Sequence, residues 1–241
     1  MVVHGLNLKP KAMVPLVSWL ASHGSDVYLV QLSGHYEEGV NIRQVTTALW
    51  QNEMFSGYTI AKQAAINYGL PLYFLGYSLG ALLGQTMIAL IQEKASFDKQ
   101  ILLAPAVAIR KRSHWLRILF FFNKQTLLPS FTPKDYRANK ALPLHIYQIL
   151  FNEEKKLWAA KEHHLNIPTL ILIDPKDELI SYSRLLQWIN QFKLSHYRVI
   201  VLKEDLKNRK SQYHHLIISE ETMGSVNWDI ATNAIKQFLF K

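Results

Sequence analysis

Pro71-Leu72-Tyr73-Phe74-Leu75-Gly76-Tyr77-Ser78-Leu79-Gly80 joins an apolar run to the pattern G-x-S-x-G, and an apolar helix-forming stretch, Leu79–Glu93, follows at once. A strand that turns sharply into a helix holds the central serine in a strained backbone conformation with its hydroxyl exposed. Glycine is required at 76 and 80 because a side chain at either position would strike the adjoining strand or helix. The first turn of the helix offers unpaired N–H groups that stabilise an anion. The pattern alone arises by chance in many chains, so its partners decide its meaning.

On both sides of this turn, apolar strands alternate with helices. Val2-Val3 leads into His4-Gly5, and Pro10–His23 reads as a helix stopped by Gly24. Asp26–Leu32 is a strand followed by a Ser33-Gly34-His35 turn, and Thr46–Tyr68 is a long helix closed by Gly69. Leu72–Gly76 and Lys99–Leu103 are strands. Further on come strand Thr169–Ile173, helix Ser181–Phe192, strand Tyr197–Leu202 and helix Ser225–Phe240. Short apolar strands suit a parallel sheet covered on both faces. The alternation predicts an α/β fold: a doubly wound, mainly parallel sheet of about six strands with right-handed crossovers.

The rhythm breaks at residues 110–166, an insertion with helical patterning and nine aromatics, among them Trp115, Phe120, Phe131 and Phe151. A structureless loop of that length is out of place in a compact domain, so the expectation is a helical cap on a core formed by 1–109 and 167–241. The insertion holds eleven Lys/Arg against four Asp/Glu, which is +7 of the chain's net +9. Such a stretch is first a solvated basic face, and more sharply a surface for peripheral contact with an anionic membrane. No nucleic-acid motif accompanies the charge, so no nucleic-acid partner is expected.

Composition closes other routes. With 241 residues, 49% apolar and 19% charged, the chain is a globular one. It has no cysteine, which excludes disulfides, thiolate metal sites and a cysteine nucleophile. No signal peptide or membrane span is visible, and the expectation is a soluble, cytoplasmic protein. His, Asp and Glu fall into no metal-ligand spacing, so neither a metal nor another cofactor is expected. His163 and His164 read as surface residues, and His35 as a loop organiser.

A serine hydroxyl needs a base to take its proton and a charge to orient that base. Asp174 and Asp177 both lie at the C-terminal end of the Thr169–Ile173 strand, where the sites of open α/β sheets gather. Two adjacent histidines, His214 and His215, lie between the last strand and the last helix. An oxyanion site needs two donors: the Leu79 N–H after the serine, and the Leu6 N–H in the loop after the first strand. His4 reads as a structural residue of that loop.

Five ordered segments, VVHGLN, LSGHY, GYSLG, ILIDPKDELI and YHHLII, together resemble the α/β-hydrolase superfamily over nearly the whole chain. Within it the chain is similar to capped carboxylesterases, monoacylglycerol lipases and lysophospholipases. The resemblance implies Ser78 as nucleophile, Asp177 as acid with Asp174 in reserve, and 110–166 as lid. It favours His214 as base, because an aromatic residue precedes and apolar residues follow the family histidine; His215 is the reserve. It implies a small-molecule ester or lipid substrate with a hydrophobic acyl group. A binding protein of the same fold with little or no turnover is the alternative class, and a thioesterase or peptidase the alternative chemistry.

The resemblance also has a departure. Relatives carry a hairpin before the first strand, and here that strand starts at Met1. Either those strands are absent or the start lies inside a longer natural protein. The Val27–Leu32 strand would then form a sheet edge, with lower stability or a covering partner, such as a second copy in a homodimer, as the consequence.

Overall fold

Six short apolar runs pair into one parallel sheet in a computed structural model that describes residues 1–36, 39–90, 96–121, 123–160, 164–202 and 212–240. The strands are β1 (Val2–Val3), β2 (Leu29–Val30), β3 (Tyr73–Tyr77), β4 (Lys99–Leu103), β7 (Thr169–Ile173) and β8 (Tyr197–Val201). Their order is β2-β1-β3-β4-β7-β8, so β2 and β8 are the edges. Residues 110–166 supply a separate antiparallel pair, β5 (Leu127–Pro129) with β6 (Ala141–Pro143).

Side chains alternate between the two faces of the sheet, and each face has its own core. Phe74, Leu102, Ile171 and Ile173 meet helices α2 (Thr47–Tyr68), α3 (Leu79–Leu90), α4 (Leu144–Ala159) and α5 (Tyr182–Gln191). Leu75, Ile101, Leu103 and Leu170 meet α1 (Val14–Ser22) and α7 (Ser225–Phe240). The short helix α6 (Glu220–Met223) precedes α7. Trp50, Phe74 and Trp188 are wholly buried, each contributing about 2–3 kcal/mol by removal of apolar surface from water.

Local chemistry sets the ends of the elements. Thr46 caps α2 by accepting from Leu49 N–H at 3.1 Å, and Gly69 ends it in the left-handed region with φ 63°. The helix expected over Pro10–His23 is divided into a 3-10 turn at Pro10–Met13 and then α1. Pro15 has no N–H to continue the α ladder back to the Lys11 carbonyl, so the α-helix starts afresh. The strand expected over Asp26–Leu32 is paired only at Leu29–Val30, because its single neighbour β1 is itself two residues long. The expected helix Leu79–Glu93 is described as far as Leu90; residues 91–93 and His163 lie outside the described residues.

The insertion contains a 3-10 segment, Lys111–Phe121, as well as α4 and the β5–β6 pair. Helical patterning therefore accounts for only part of it. No helix among the described residues is long and apolar enough to cross a membrane.

Candidate active site

Ser78 sits at the end of β3 with φ 50°, a left-handed conformation that a residue with a Cβ rarely adopts. Its N–H donates to Leu103 O at 2.9 Å, while its own carbonyl accepts from Leu82 N–H and Ala106 N–H, both at 3.1 Å. Three elements thus hold the strained residue in place. The flanking glycines are forced by close approach. A Cβ on Gly76 would lie 2.6 Å from Ala81 Cα in α3, and one on Gly80 would lie 2.5 Å from Val3 O in β1.

The histidine in reach of Ser78 is His215. Its Nδ1 lies 2.8 Å from Asp177 Oδ2. A carboxylate only accepts, so Nδ1 carries the proton and Nε2 is left to accept from Ser78 Oγ–H at 2.9 Å. Ser78 and His215 are each 7% exposed and Asp177 is fully buried. The expected pairing of Ser78 with His214 is corrected by this geometry. His214 Nδ1 turns instead to Asp174 Oδ2 at 2.8 Å, making a second Asp–His pair. Tyr213, His215 and Leu216 line the cleft above Ser78 and His214 does not.

Asp177 is oriented by its own turn: Oδ1 accepts from Leu179 N–H at 2.7 Å and Ile180 N–H at 2.8 Å. Oδ2 is left for His215. Arg110 Nε donates to Asp177 O at 2.7 Å, tying the turn to the start of the insertion. Tyr77 OH donates to His215 O at 3.1 Å, and burial raises its pKa well above the usual phenol range.

The loop after β1 is held by Asn7 as well as by the expected His4. Asn7, with φ 55° and 1% exposed, donates through Nδ2 to Ser130 Oγ at 2.6 Å and to Asn139 O at 2.9 Å. Its Oδ1 accepts from Asn139 N–H at 2.8 Å, and Ala138 N–H donates to Asn7 O at 2.9 Å. The insertion therefore grips the loop that carries Leu6. His4 Nε2 accepts from Leu32 N–H at 3.0 Å, so Nδ1 donates to Gly5 O at 2.9 Å. Burial lowers the pKa of His4 to about 3 and that of His35, which packs on it from the turn after β2, to about 4, keeping both neutral.

A cleft of about 930 Å³, counting its open mouth, lies over Ser78 and is walled by core and insertion together. Leu6, Leu116, Leu142, Phe131 and Phe151 make most of its surface apolar. Among the described residues, neither Leu6 N–H nor Leu79 N–H donates to another protein group. No Asp or Glu among the described residues lines the cleft. No group of three or more His, Asp or Glu able to hold a metal ion occurs among the described residues.

This geometry has relatives. The yeast (Saccharomyces cerevisiae) monoglyceride lipase superposes with a TM-score of 0.79 at 15% identity, over 99% of this chain and 85% of that one. The monoacylglycerol lipase of Paleococcus ferrophilus gives 0.73 at 15%, over 99% and 92%. A structure from the metagenome-derived lipolytic pair LipS and LipT gives 0.72 at 17%, over 98% and 92%. At these identities the likeness shows the fold, which is that of the α/β-hydrolases. No curated protein matches the sequence. The profile of the family described as serine aminopeptidase, S33, matches residues 1–160, two thirds of the sequence. On that match, the chain belongs to the S33 serine aminopeptidase family of α/β-hydrolases.

Proposed function

We propose that this protein hydrolyses carboxylic esters with a hydrophobic acyl group, through a Ser78 acyl-enzyme. The observation that carries the reading is the chain Ser78 Oγ, His215 Nε2, His215 Nδ1, Asp177 Oδ2, with links of 2.9 and 2.8 Å, opening into an apolar cleft. His215 takes the Ser78 proton as Oγ attacks the carbonyl carbon. The N–H groups of Leu6 and Leu79 receive the oxyanion. The protonated His215, steadied by Asp177, returns its proton to the leaving alkoxide. Water, deprotonated by the same histidine, then cleaves the acyl-enzyme and frees Ser78.

The names of the structural neighbours support this choice of substrate: monoglyceride and monoacylglycerol lipases, one solved with a substrate analogue, and Est1E from Butyrivibrio proteoclasticus with ferulic acid bound. The family description points to peptide N-termini. An aminopeptidase must hold an ammonium group, and among the described residues the cleft lining contains no carboxylate side chain to do so. A neutral ester fits this lining better. Turnover of p-nitrophenyl esters should rise from acetate to hexanoate or longer, with kcat/KM up by about tenfold for every two methylenes that become buried. Aminoacyl p-nitroanilides should be turned over poorly. The opposite preference would move the reading to a peptidase.

Residues 110–166 serve in this reading as a cap whose outer surface meets an anionic lipid surface. Trp115 is 58%, Ile118 67% and Phe121 94% exposed, and Lys111, Arg112 and Arg117 are interleaved with them. Large apolar groups at this exposure, among cations, suit a negatively charged interface. The protein should sediment with phosphatidylcholine vesicles only when phosphatidylserine is added. High salt, or Ile118→Ser with Phe121→Ser, should release it. Equal binding to both vesicle types would remove charge from the account.

A further inference from the structure

Two adjacent histidines each have an aspartate, and only one of them serves Ser78. His214 pairs with Asp174 and His215 with Asp177, both at 2.8 Å, and the two aspartates come from the same turn. Side-chain chemistry is thus the same for both pairs. What differs is the direction in which the backbone presents each ring.

The backbone here is gripped by one carboxylate. Glu178 Oε1 accepts from His214 N–H at 3.0 Å, and Oε2 accepts from His215 N–H at 3.0 Å. Two successive N–H groups on the two oxygens of one side chain fix the intervening peptide plane, and with it the directions of both Cβ atoms. A charged acceptor makes these bonds stronger than neutral ones. Glu178 is itself held: Arg112 donates to its backbone carbonyl at 3.1 Å, and Arg110 donates to the preceding carbonyl of Asp177. On the other side of the loop, His215 O accepts from Tyr77 OH and from Ile217 N–H, each at 3.1 Å.

We infer that Glu178 is a positioning residue, which sets the register of the His214–His215 loop so that His215, and not His214, faces Ser78. The inference rests on the ester-hydrolase reading above. Glu178 does not line the cleft over Ser78; it acts through the backbone of the base. A base displaced by about 1 Å from its hydrogen bond to the nucleophile costs on the order of 100-fold in rate.

The test compares Glu178→Ala and Glu178→Gln with the wild-type chain on p-nitrophenyl butyrate, with active sites counted by fluorophosphonate titration. Glu178→Ala should lower kcat per titrated site by about 10- to 100-fold and leave KM within about twofold. Glu178→Gln keeps one accepting oxygen and should fall between the two. If the alanine variant does not fold, the glutamine variant alone carries the test through the same ratio. A purely structural role would reduce the number of titratable sites and leave kcat per site unchanged; that result overturns the inference. Ser78→Ala, run alongside, separates the two levels. If it is inactive while both Glu178 variants match wild type, only the positioning role falls. If it retains turnover, the hydrolase reading falls and the Glu178 role with it.

Discussion

Replacing Ser78 with alanine should lower kcat/KM for a short p-nitrophenyl ester by about 10⁴- to 10⁶-fold, the range over which serine hydrolases lose rate with their nucleophile. The variant should remain folded. Ser78 Oγ makes a single hydrogen bond, to His215, and the backbone bonds that fix the turn run through Ser78 N–H and its carbonyl. Alanine keeps a Cβ at the same φ of 50°, so the strain of the turn is unchanged. The unfolding free energy from urea titration should stay within about 0.5 kcal/mol of wild type, as for a substitution that opens no cavity and breaks no backbone bond. A folded variant with wild-type turnover would place the chemistry elsewhere.

The second large effect separates two neighbours. His215→Asn should cost about 10⁴-fold in kcat/KM, because the group that accepts the Ser78 proton is gone. Asparagine still offers an N–H toward Asp177, which is fully buried and would be costly to leave without a donor. His214→Ala should keep activity within about threefold of wild type, since its ring faces Asp174 and lies outside the cleft. Circular dichroism on both variants confirms folding before rates are compared. The reverse ranking would return the role of base to His214.

Much of this molecule is legible in its sequence, for stated reasons. The six-stranded parallel sheet follows from apolar runs separated by amphipathic helices, and β2 lies at the edge where the resemblance put it. Gly76 could be read because its requirement is local, Ala81 of α3 lying five residues on, whereas Gly80 meets Val3 of β1 from the far end of the chain and is legible only through the G-x-S-x-G pattern. The histidine could not be read in the same way. His214 and His215 have the same side chain, and which one faces Ser78 depends on Glu178, 36 or 37 residues earlier in the chain. Flanking hydrophobicity, which favoured His214, carries no information about that contact.

Asn7 is hidden for the same reason, since its partners Ser130 and Asn139 lie in the insertion more than 120 residues away. The β5–β6 pair was missed because its strands are three residues long and each ends in proline, which reads as a turn signal.

The central claim is that Ser78 is a nucleophile activated by His215 and Asp177, and labelling with a fluorophosphonate tests it most directly. After digestion and mass spectrometry, the account predicts one adduct, on the peptide containing Gly76–Gly80 and localised to Ser78. Ser78→Ala and His215→Asn should not label, and His214→Ala should. A folded wild-type protein that takes up no probe would contradict the account and leave a binding protein built on a hydrolase fold.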